Sequence, residues 1–259
     1  MAKFKLTPLD YITIDREGET LTLIKKKSFE DFNESTLGLG DLSVESHPTN
    51  AIAAIFDLAG FTAFCNQSDP HLVIPDFMRS FLEWIYAKIR EESIFKKHPE
   101  GYVVWSDFPF YSKFLGDGIL FLWDTKDMNL KEIGNVILAL KEICRSYVTE
   151  FYVNLSENYS YPPNALRCGI ARGVVYNVGD GNDYVGPCIN VASRLQKIGG
   201  LSFCFSKRGI DMKKCLEEEW HGDLIIKRTN IRGIGSEELI CCFKEEFDSL
   251  SKENKQLFF

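Results

Sequence analysis

The chain has 259 residues, of which 45% are hydrophobic and 13% aromatic, and its formal charge at pH 7 is −7. This length and composition suffice for one sizeable buried core, so we expect one domain preceded by an N-terminal arm. The acidic balance, without a stripe rich in Lys and Arg, argues against binding to a nucleic-acid backbone. Apolar runs fall well short of the roughly 18 residues of a membrane span, and the first residues lack the apolar centre of a signal peptide.

The eight cysteines form no Cys-x-x-Cys pair and have no histidine partners at zinc-site spacing. Several lie inside apolar runs, a position typical of small buried hydrophobic residues. We therefore expect free thiols and a soluble protein of the reducing cytoplasm.

Residues 1–48 are predicted to be an N-terminal arm and linker. Residues 10–14 and 20–24 flank a turn that contains Gly18, which predicts a short hairpin. Residues 28–50 are rich in Glu, Ser, Asp and Gly and indicate a linker. The core domain is expected to occupy residues 49–259.

The first elements of that domain are predicted from apolar patterns. The continuous apolar run at residues 51–56 predicts a strand buried on both faces, stopped by Asp57. Apolar residues between 72 and 89 recur at steps of three and four, which predicts an amphipathic helix. Residues 111–123 predict a strand hairpin with a Gly-Asp-Gly turn at 116–118.

The later elements complete the expected fold. A second long helix is predicted at residues 130–151, and strands are predicted at 166–171 and 174–178. Pro187 is well placed as the first residue of another helix, after which a strand, a helix and a final strand pair follow. This order is the split βαβ arrangement of ferredoxin-like α+β folds, so we expect an antiparallel-rich sheet covered by helices.

A polar string, Phe-Asp-Leu-Ala-Gly-Phe-Thr, follows the first buried strand at residues 56–62. An Asp at this position is often only a turn former or a helix N-cap. Alternatively, the Asp57 carboxylate and the Leu58 carbonyl hold Mg²⁺, while the backbone amides around Phe61 and Thr62 receive phosphate oxygens.

The Gly-Asp-Gly sequence is also a common turn between the two strands of a β-hairpin. If its strand neighbours the first one, however, Asp57 and Asp117 can hold two cations, one at an attacking hydroxyl and one at a leaving triphosphate. Lys113 lies roughly 13 Å from Asp117 at about 3.3 Å per residue of strand, so one pocket should not contain both. Lys113 is then a solvent-facing strand residue or, in a two-fold dimer, faces the carboxylates of the other subunit.

Asn190 and Arg194 share a helical face away from the apolar stripe, and a solvated helix surface is the default interpretation. The alternative is chemical, because the planar guanidinium suits a five-coordinate phosphorus and the amide can orient a ribose oxygen. Asp183, just before this helix, is either a turn residue or part of a pocket that it could share with Lys113.

Taken together, the three polar patches resemble the catalytic domain of class III nucleotidyl cyclases over residues 51–243. Each motif alone is weak or moderate, whereas three in this order and spacing are specific. The resemblance implies a head-to-tail homodimer with sites at the interface and two divalent cations, Mg²⁺ or Mn²⁺. It implies that Asp57 and Asp117 bind the metal ions. It also implies that Lys113 and Asp183 recognise the base, and that Asn190 and Arg194 stabilise the transition state.

Two departures and one further residue complete the comparison with the family pattern. Arg232 lies where the family often has a basic residue near the terminal phosphates, and Pro187 stands where it commonly has Asp. We find no sensor or coiled-coil pattern before the domain, so we expect a stand-alone enzyme. In this it is similar to the pyrimidine cyclases of bacterial anti-phage (Pycsar) systems.

The resemblance implies conversion of a nucleoside triphosphate to a 3′,5′-cyclic nucleotide and pyrophosphate by in-line attack. Lys113 and Asp183 supply a donor and an acceptor, which adenine, cytosine and uracil can all satisfy. Bulky neighbours such as Phe114 or Tyr184 would fill the space that a pyrimidine leaves, so pocket volume must decide. The resemblance favours UTP, then CTP, with the product read by a separate effector protein. The alternatives are an adenylate cyclase that makes cyclic AMP and a catalytically silent nucleotide-binding domain.

Overall fold

The computed structural model describes residues 11–16, 18–24, 26, 43–66, 70–97, 103–105 and 108–259. The chain divides into two compact units. The smaller unit contains Met1–Pro48 and Tyr176–Val185, and the larger contains Thr49–Val175 and Gly186–Phe259. The domain boundary predicted between residues 48 and 49 stays a prediction.

The strands are β1 (Tyr11–Arg16), β2 (Glu19–Ile24), β3 (Pro48–Ala59), β4 (Ile94–Lys97), β5 (Val103–Trp105), β6 (Tyr111–Phe114), β7 (Gly118–Asp124), β8 (Ala165–Val178), β9 (Asp183–Val185), β10 (Phe203–Ser206), β11 (Leu224–Ile231) and β12 (Gly235–Phe243). The helices are α1 (Phe61–Cys65), α2 (Pro70–Glu92), α3 (Leu130–Ser146), α4 (Tyr152–Ser156), α5 (Pro187–Leu195), α6 (Met212–Cys215), α7 (Glu218–His221), α8 (Lys244–Ser249) and α9 (Lys252–Lys255), with a π-helical turn at Tyr147–Phe151 between α3 and α4.

The smaller unit contains two antiparallel strand pairs. The predicted hairpin is confirmed as β1 and β2, which pair across a turn at Gly18 with φ 87°. The end of β8 pairs with β9, a strand that the sequence analysis did not predict. The Asn177 side-chain oxygen accepts a hydrogen bond from the His47 backbone amide at 2.6 Å. Part of the linker predicted at residues 28–50 lies outside the described residues, and residues 48–50 belong to β3.

The larger unit is built on a sheet with the strand order β11-β12-β10-β8-β3-β7-β6. Its described pairings are antiparallel except for β10 with β8, which is parallel. Helices cover the sheet, so the predicted α+β class with an antiparallel-rich sheet is confirmed. A separate pair, β4 with β5, was not predicted.

The main core lies where α2 and α3 pack against one face of the sheet. Alternate residues of β3 and β7 contribute to it, among them Phe56 and Phe121, whose rings meet edge to face at 6.2 Å between centroids. Phe81 of α2 is fully buried in the same core. Leu72 and Leu130, which we predicted on apolar helix faces, are instead 67% and 44% exposed. Both lie in the first turn of a helix, and the helical period does not reveal whether a neighbouring element extends that far.

A second, smaller core joins α5 to β10, β11, β12 and the C-terminal residues. Phe258 is buried there, and the Phe259 backbone exchanges two hydrogen bonds with Arg228 of β11, at 3.0 and 2.9 Å. The Thr229 hydroxyl donates to the Leu257 carbonyl at 2.9 Å. The short helices α8 and α9, which carry the chain to this position, were not predicted.

One strand prediction was wrong. We predicted separate strands at residues 166–171 and 174–178, but β8 runs unbroken from Ala165 to Val178. Gly173 lies inside this strand and does not interrupt it. The absence of a side chain at Gly173 allows helix α5 to pack close to the strand. A Cβ at Gly173 would lie 3.2 Å from the Cβ of Cys188, so the glycine leaves room for α5.

The burial predicted for several cysteines is confirmed. All eight cysteines are free, and all except Cys65 are buried. Burial raises the pKa of Cys188 to about 11 and the pKa values of Cys241 and Cys242 to about 12, so these groups remain neutral thiols at neutral pH. In the part of the chain that the structure describes, the helices are too short or too polar to cross a membrane.

Gly118 is a position where the fold tolerates no side chain. A Cβ there would lie 2.1 Å from the Phe56 carbonyl oxygen, a backbone atom of the paired strand. We expect Gly118→Ala to lower the free energy of unfolding by about 3 kcal/mol, because β3 and β7 must separate to admit the methyl group. Chemical denaturation followed by circular dichroism measures the change.

Gly222→Ala is the matched control for this substitution. A Cβ at Gly222 meets nothing within 4 Å, and its φ of −73° is open to any residue. We expect its free energy of unfolding to stay within about 1 kcal/mol of the wild type. Equal unfolding midpoints for the two variants would contradict the close approach of the strands.

Candidate active site

The two acidic turns lie side by side in the larger unit. β3 and β7 are neighbours, and Asp57 stands opposite Gly118 in their register. The Leu58 amide donates a hydrogen bond to the Asp117 carbonyl at 3.0 Å. The condition that the sequence left open is therefore met, and the Asp57 and Asp117 side chains leave adjacent backbone positions at one end of the sheet.

Glycines shape both turns. Gly60, which precedes α1, has φ 87°, and Gly116, between β6 and β7, has φ 95°, both in the left-handed region that glycine adopts without strain. The ring of Phe61 packs against Phe77 at 6.0 Å, so its side chain belongs to the core. If Phe61 contacts a ligand in the conformation described, it must do so through its backbone. Thr62 is exposed beside it.

The Asp57 carboxylate is held by an arginine that the sequence analysis did not select. Asp57 is only 4% exposed, and its Oδ2 accepts hydrogen bonds from Arg167 Nε at 3.1 Å and from Arg167 Nη2. The Arg167 side chain, on β8, is 30% exposed. A signal was present in the sequence, since Arg167 is the one charged residue in the apolar run at residues 165–171, and a charge there requires a partner.

The Asp117 carboxylate is less constrained. It is half-buried, and within the described ranges it has no ion-pair partner. Burial, followed by the negative charge of Asp117, raises the pKa of the Cys65 thiol at the end of α1. Asp117 therefore adds an uncompensated negative charge next to Asp57 and α1.

The donor set suits a hard divalent cation that arrives with additional ligands. Asp57 and Asp117 supply carboxylates and Leu58 a backbone carbonyl, and Mg²⁺ commonly binds through one or two carboxylates plus substrate phosphates. Both Arg167 hydrogen bonds reach Asp57 Oδ2, and its Oδ1 accepts none from the described residues. The described residues contain no cluster of three or more His, Cys, Asp or Glu side chains, so the protein groups alone do not form a complete cage.

Helix α5 presents Asn190 and Arg194 to solvent. Pro187 is its first residue, as predicted, and Ala192 and Leu195 are buried on its inner face. Both polar side chains are exposed and, within the described residues, have no hydrogen-bond or ion-pair partner. No described contact joins either of them to the acidic turns of the same chain.

Glycine in β8 sets the position of α5. A Cβ at Gly169 would lie 2.3 Å from the Ala192 carbonyl oxygen and 2.4 Å from the Gln196 amide nitrogen. The helix backbone therefore rests directly on the strand that also carries Arg167, two residues earlier. This close approach fixes the outward direction of the Asn190 and Arg194 face.

Lys113 lies on the same face of the sheet as Asp57 but at a distance. It stands opposite Leu120, which stands opposite Ile55, and residues aligned across strands share a face. Strand β6 lies two strand spacings from β3, and Lys113 is aligned with Ile55, two residues before Asp57. The Cα atoms of Lys113 and Asp57 are therefore roughly 12 Å apart. Whether Lys113 acts in the pocket of its own carboxylates or in that of another subunit stays a prediction.

Two further residues occupy turns or strand ends. Asp183 begins β9 in the smaller unit, and its carboxylate accepts a hydrogen bond from the Tyr184 amide at 2.8 Å. Its pairing with Lys113 stays a prediction. Arg232 is exposed in the turn between β11 and β12, next to Gly233 with φ 79°.

Comparisons with known proteins give a result at the level of structure only. Neither the protein-family models nor the curated proteins contain a match to the sequence. Among solved structures, the adenylyl cyclase CyaB from P. aeruginosa matches with a TM-score of 0.55 and 14% identity, over 76% of this chain and 95% of that one. The guanylate cyclase domain of RhGC from Catenaria anguillulae, in complex with GTP, matches with a TM-score of 0.51 and 14% identity, over 76% and 97%.

A third similar structure is the non-canonical dimeric guanylyl cyclase domain of the RhoGC fusion protein from Blastocladiella emersonii. It has a TM-score of 0.50 and 14% identity, over 78% of this chain and 98% of that one. The three domains are each covered almost completely, so the likeness concerns a whole catalytic domain rather than a shared sheet. The chain therefore has the fold of class III nucleotidyl cyclase domains.

Proposed function

We propose that the protein is a nucleotidyl cyclase, which converts a nucleoside triphosphate to a 3′,5′-cyclic nucleotide and pyrophosphate. The observation that carries this proposal is the adjacency of Asp57 and Asp117 across β3 and β7. Two carboxylates at one sheet end, beside a turn that exposes backbone amides, form a place for a triphosphate and its cations. The class III cyclase fold supports the same conclusion independently.

In this proposal Asp57, Asp117 and the Leu58 carbonyl hold two divalent cations, Mg²⁺ or Mn²⁺. When bound, such cations lower the pKa of the attacking 3′-hydroxyl and neutralise the triphosphate. Arg167 holds the Asp57 carboxylate in position and leaves its Oδ1 open toward the site, since both hydrogen bonds reach Oδ2. The backbone amides at Phe61 and Thr62 receive phosphate oxygens.

The remaining groups act on the reacting atoms and the base. The 3′-hydroxyl gives its proton to solvent and its oxygen forms a bond to the α-phosphorus. The bond from that phosphorus to the bridging oxygen breaks, and pyrophosphate leaves. Arg194 donates to the phosphoryl oxygens as their charge grows, while Asn190 orients the ribose. Arg232 contacts the terminal phosphates.

In this proposal the protein is a homodimer, and the exposure of α5 supports it. The guanidinium of Arg194 is exposed and has no described partner, and Lys113 lies roughly 12 Å from Asp57 on the edge strand β6. A second chain in head-to-tail arrangement brings its Lys113, Asn190 and Arg194 to these carboxylates, and two-fold symmetry makes two such sites. Analytical ultracentrifugation of active preparations tests this, and a lone subunit with full activity would contradict it.

The substrate within this class is a pyrimidine triphosphate, UTP before CTP. Lys113 donates to the base and Asp183 accepts from it, and the resemblance to pyrimidine cyclases favours the smaller base. Phe114 is aligned with Ile119 and Phe56, so it lies on the opposite face of the sheet from Lys113 and does not fill this pocket. The product acts in the cytoplasm on a separate effector protein in anti-phage signalling. Unchanged phage sensitivity after deletion of the gene would contradict this biological role.

The experiment that tests the activity compares the four triphosphates, each with Mn²⁺, and follows the cyclic product and pyrophosphate. We expect UTP to be the preferred substrate, with kcat/KM at least about tenfold above ATP, because forcing the larger adenine into a pocket sized for a pyrimidine costs about 1–3 kcal/mol. A preference for ATP would keep the cyclase and overturn the pyrimidine assignment. A failure to turn over any triphosphate would favour a silent nucleotide-binding domain.

A further inference from the structure

A cavity with a volume of about 710 Å³ opens far from the acidic turns. One wall contains Arg172 of β8, whose Nε donates to the Thr125 hydroxyl at 3.2 Å. The Thr125 amide donates in turn to the carbonyl of Asn50, near the start of β3. The length of β3 from Asn50 to Asp57, roughly 23 Å at about 3.3 Å per residue, separates the cavity from the proposed active site.

The charges of this cavity do not cancel. Its carboxylates are all engaged, in three ion pairs: Glu238 with Arg208, Asp211 with Lys214 at 3.6 Å, and Glu237 with Arg228 at 3.7 Å. Two cations of the lining, Arg172 and Lys207, have no carboxylate partner among the described residues. In a chain with a net charge of −7, this wall therefore carries a local positive excess.

Neutral groups hold the arginine in place. Arg172 Nη1 donates to the Gly209 carbonyl at 3.2 Å, in addition to the bond from Nε to Thr125. The same loop is fixed to β12 by the Lys207 amide, which donates to the Leu239 carbonyl at 2.9 Å. The guanidinium is thus oriented before any ligand binds, and its charge stays available, which lowers the cost of binding an anion.

We propose that this cavity binds the phosphate group of a small molecule, between Arg172 and Lys207. Arginine binds phosphate oxygens through paired N–H donors and lysine adds a point charge, so the two together suit a phosphate dianion without a metal ion. The volume lies in the range of small-molecule sites. Leu130, 44% exposed on the rim, and Ile210 offer an apolar surface to an organic part of the ligand.

Titration calorimetry in the presence of EDTA tests the proposal, with orthophosphate, pyrophosphate and uridine monophosphate as probes. We expect at least one probe to bind, and Lys207→Gln to weaken its affinity roughly 10- to 100-fold, the effect of losing one charge-assisted hydrogen bond. Tighter binding of the nucleotide would identify an organic phosphate as the ligand, and tighter binding of pyrophosphate would identify the inorganic anion. Absence of binding by all three probes overturns the proposal.

Lys213→Gln is the matched control. Lys213 lies on the short helix α6 beside Lys214, which lines the cavity, but Lys213 itself does not line it. It removes the same charge, so equal weakening by the two variants would show a diffuse charge effect and overturn the site.

A third variant, Arg194→Ala, separates this cavity from the proposed active site. We expect it to bind the probes normally in EDTA, and a loss of binding would assign the anion to the acidic turns instead. Lack of cyclase activity would leave these measurements unaffected.

Discussion

Asp57→Asn is expected to lower kcat roughly a thousandfold or more, equivalent to about 4 kcal/mol of transition-state stabilisation. The substitution keeps the shape of the side chain but removes the charge that we assign to the cations. Since Asp57 is only 4% exposed and stands opposite Gly118, no other described carboxylate except Asp117 is placed to replace it. Steady-state kinetics with Mn²⁺, together with Mn²⁺ binding followed by electron paramagnetic resonance, measure both effects.

The same substitution weakens the ion pair with Arg167. An amide oxygen can still accept one hydrogen bond from the guanidinium, so we expect a loss of about 1–3 kcal/mol in the free energy of unfolding rather than unfolding at assay temperature. Asp124→Asn is the matched control, because Asp124 is an exposed carboxylate at the other end of β7. Its kinetics should equal those of the wild type. Wild-type Mn²⁺ affinity in Asp57→Asn would contradict the assignment.

Arg194→Ala is expected to lower kcat about 100- to 1,000-fold while KM changes much less. This pattern identifies an interaction that forms mainly in the transition state, where charge accumulates on the phosphoryl oxygens. The Arg194 side chain is exposed and has no described partner, so its removal should not affect folding. Turnover and KM, measured on the same preparations with matched thermal unfolding curves, separate the two parameters.

Lys197→Ala provides the comparison for this prediction. Lys197 is an exposed cation three residues after Arg194, on the same side of α5 and just beyond its end, so its removal changes the local charge equally but leaves Asn190 and Arg194 in place. We expect near-normal kcat for this variant. Near-normal turnover in Arg194→Ala itself would refute the role of the arginine in the chemistry.

The elements that the sequence predicted well are those in which one pattern decides the structure. The apolar run at residues 51–56 became the buried centre of β3, and the three- and four-residue steps before residue 89 became α2. The hairpin of β6 and β7 followed from its Gly-Asp-Gly turn. In each case local residues and their period were sufficient.

The failures concern contacts between distant parts of the chain. We predicted two strands on either side of residues 172 and 173, because only the fold shows that the glycine at 173 makes room for Cys188. Arg167 was missed as the partner of Asp57 because 110 residues separate the two in sequence. The helices α8 and α9 are four to six residues long, too short for a helical period to appear. Spatial neighbours, rather than local propensity, decide all three.

The attachment of Phe259 to β11 has a consequence for self-association. Strand β11 is the last in the sheet order, and an outer strand with open amide and carbonyl groups is a template on which further chains can add. Here Arg228 exchanges both of its outward hydrogen bonds with Phe259, and Phe258 bridges to Thr229. Phe258 and Phe259 thereby cover this border at Arg228 and Thr229, which disfavours the addition of a further strand at that position.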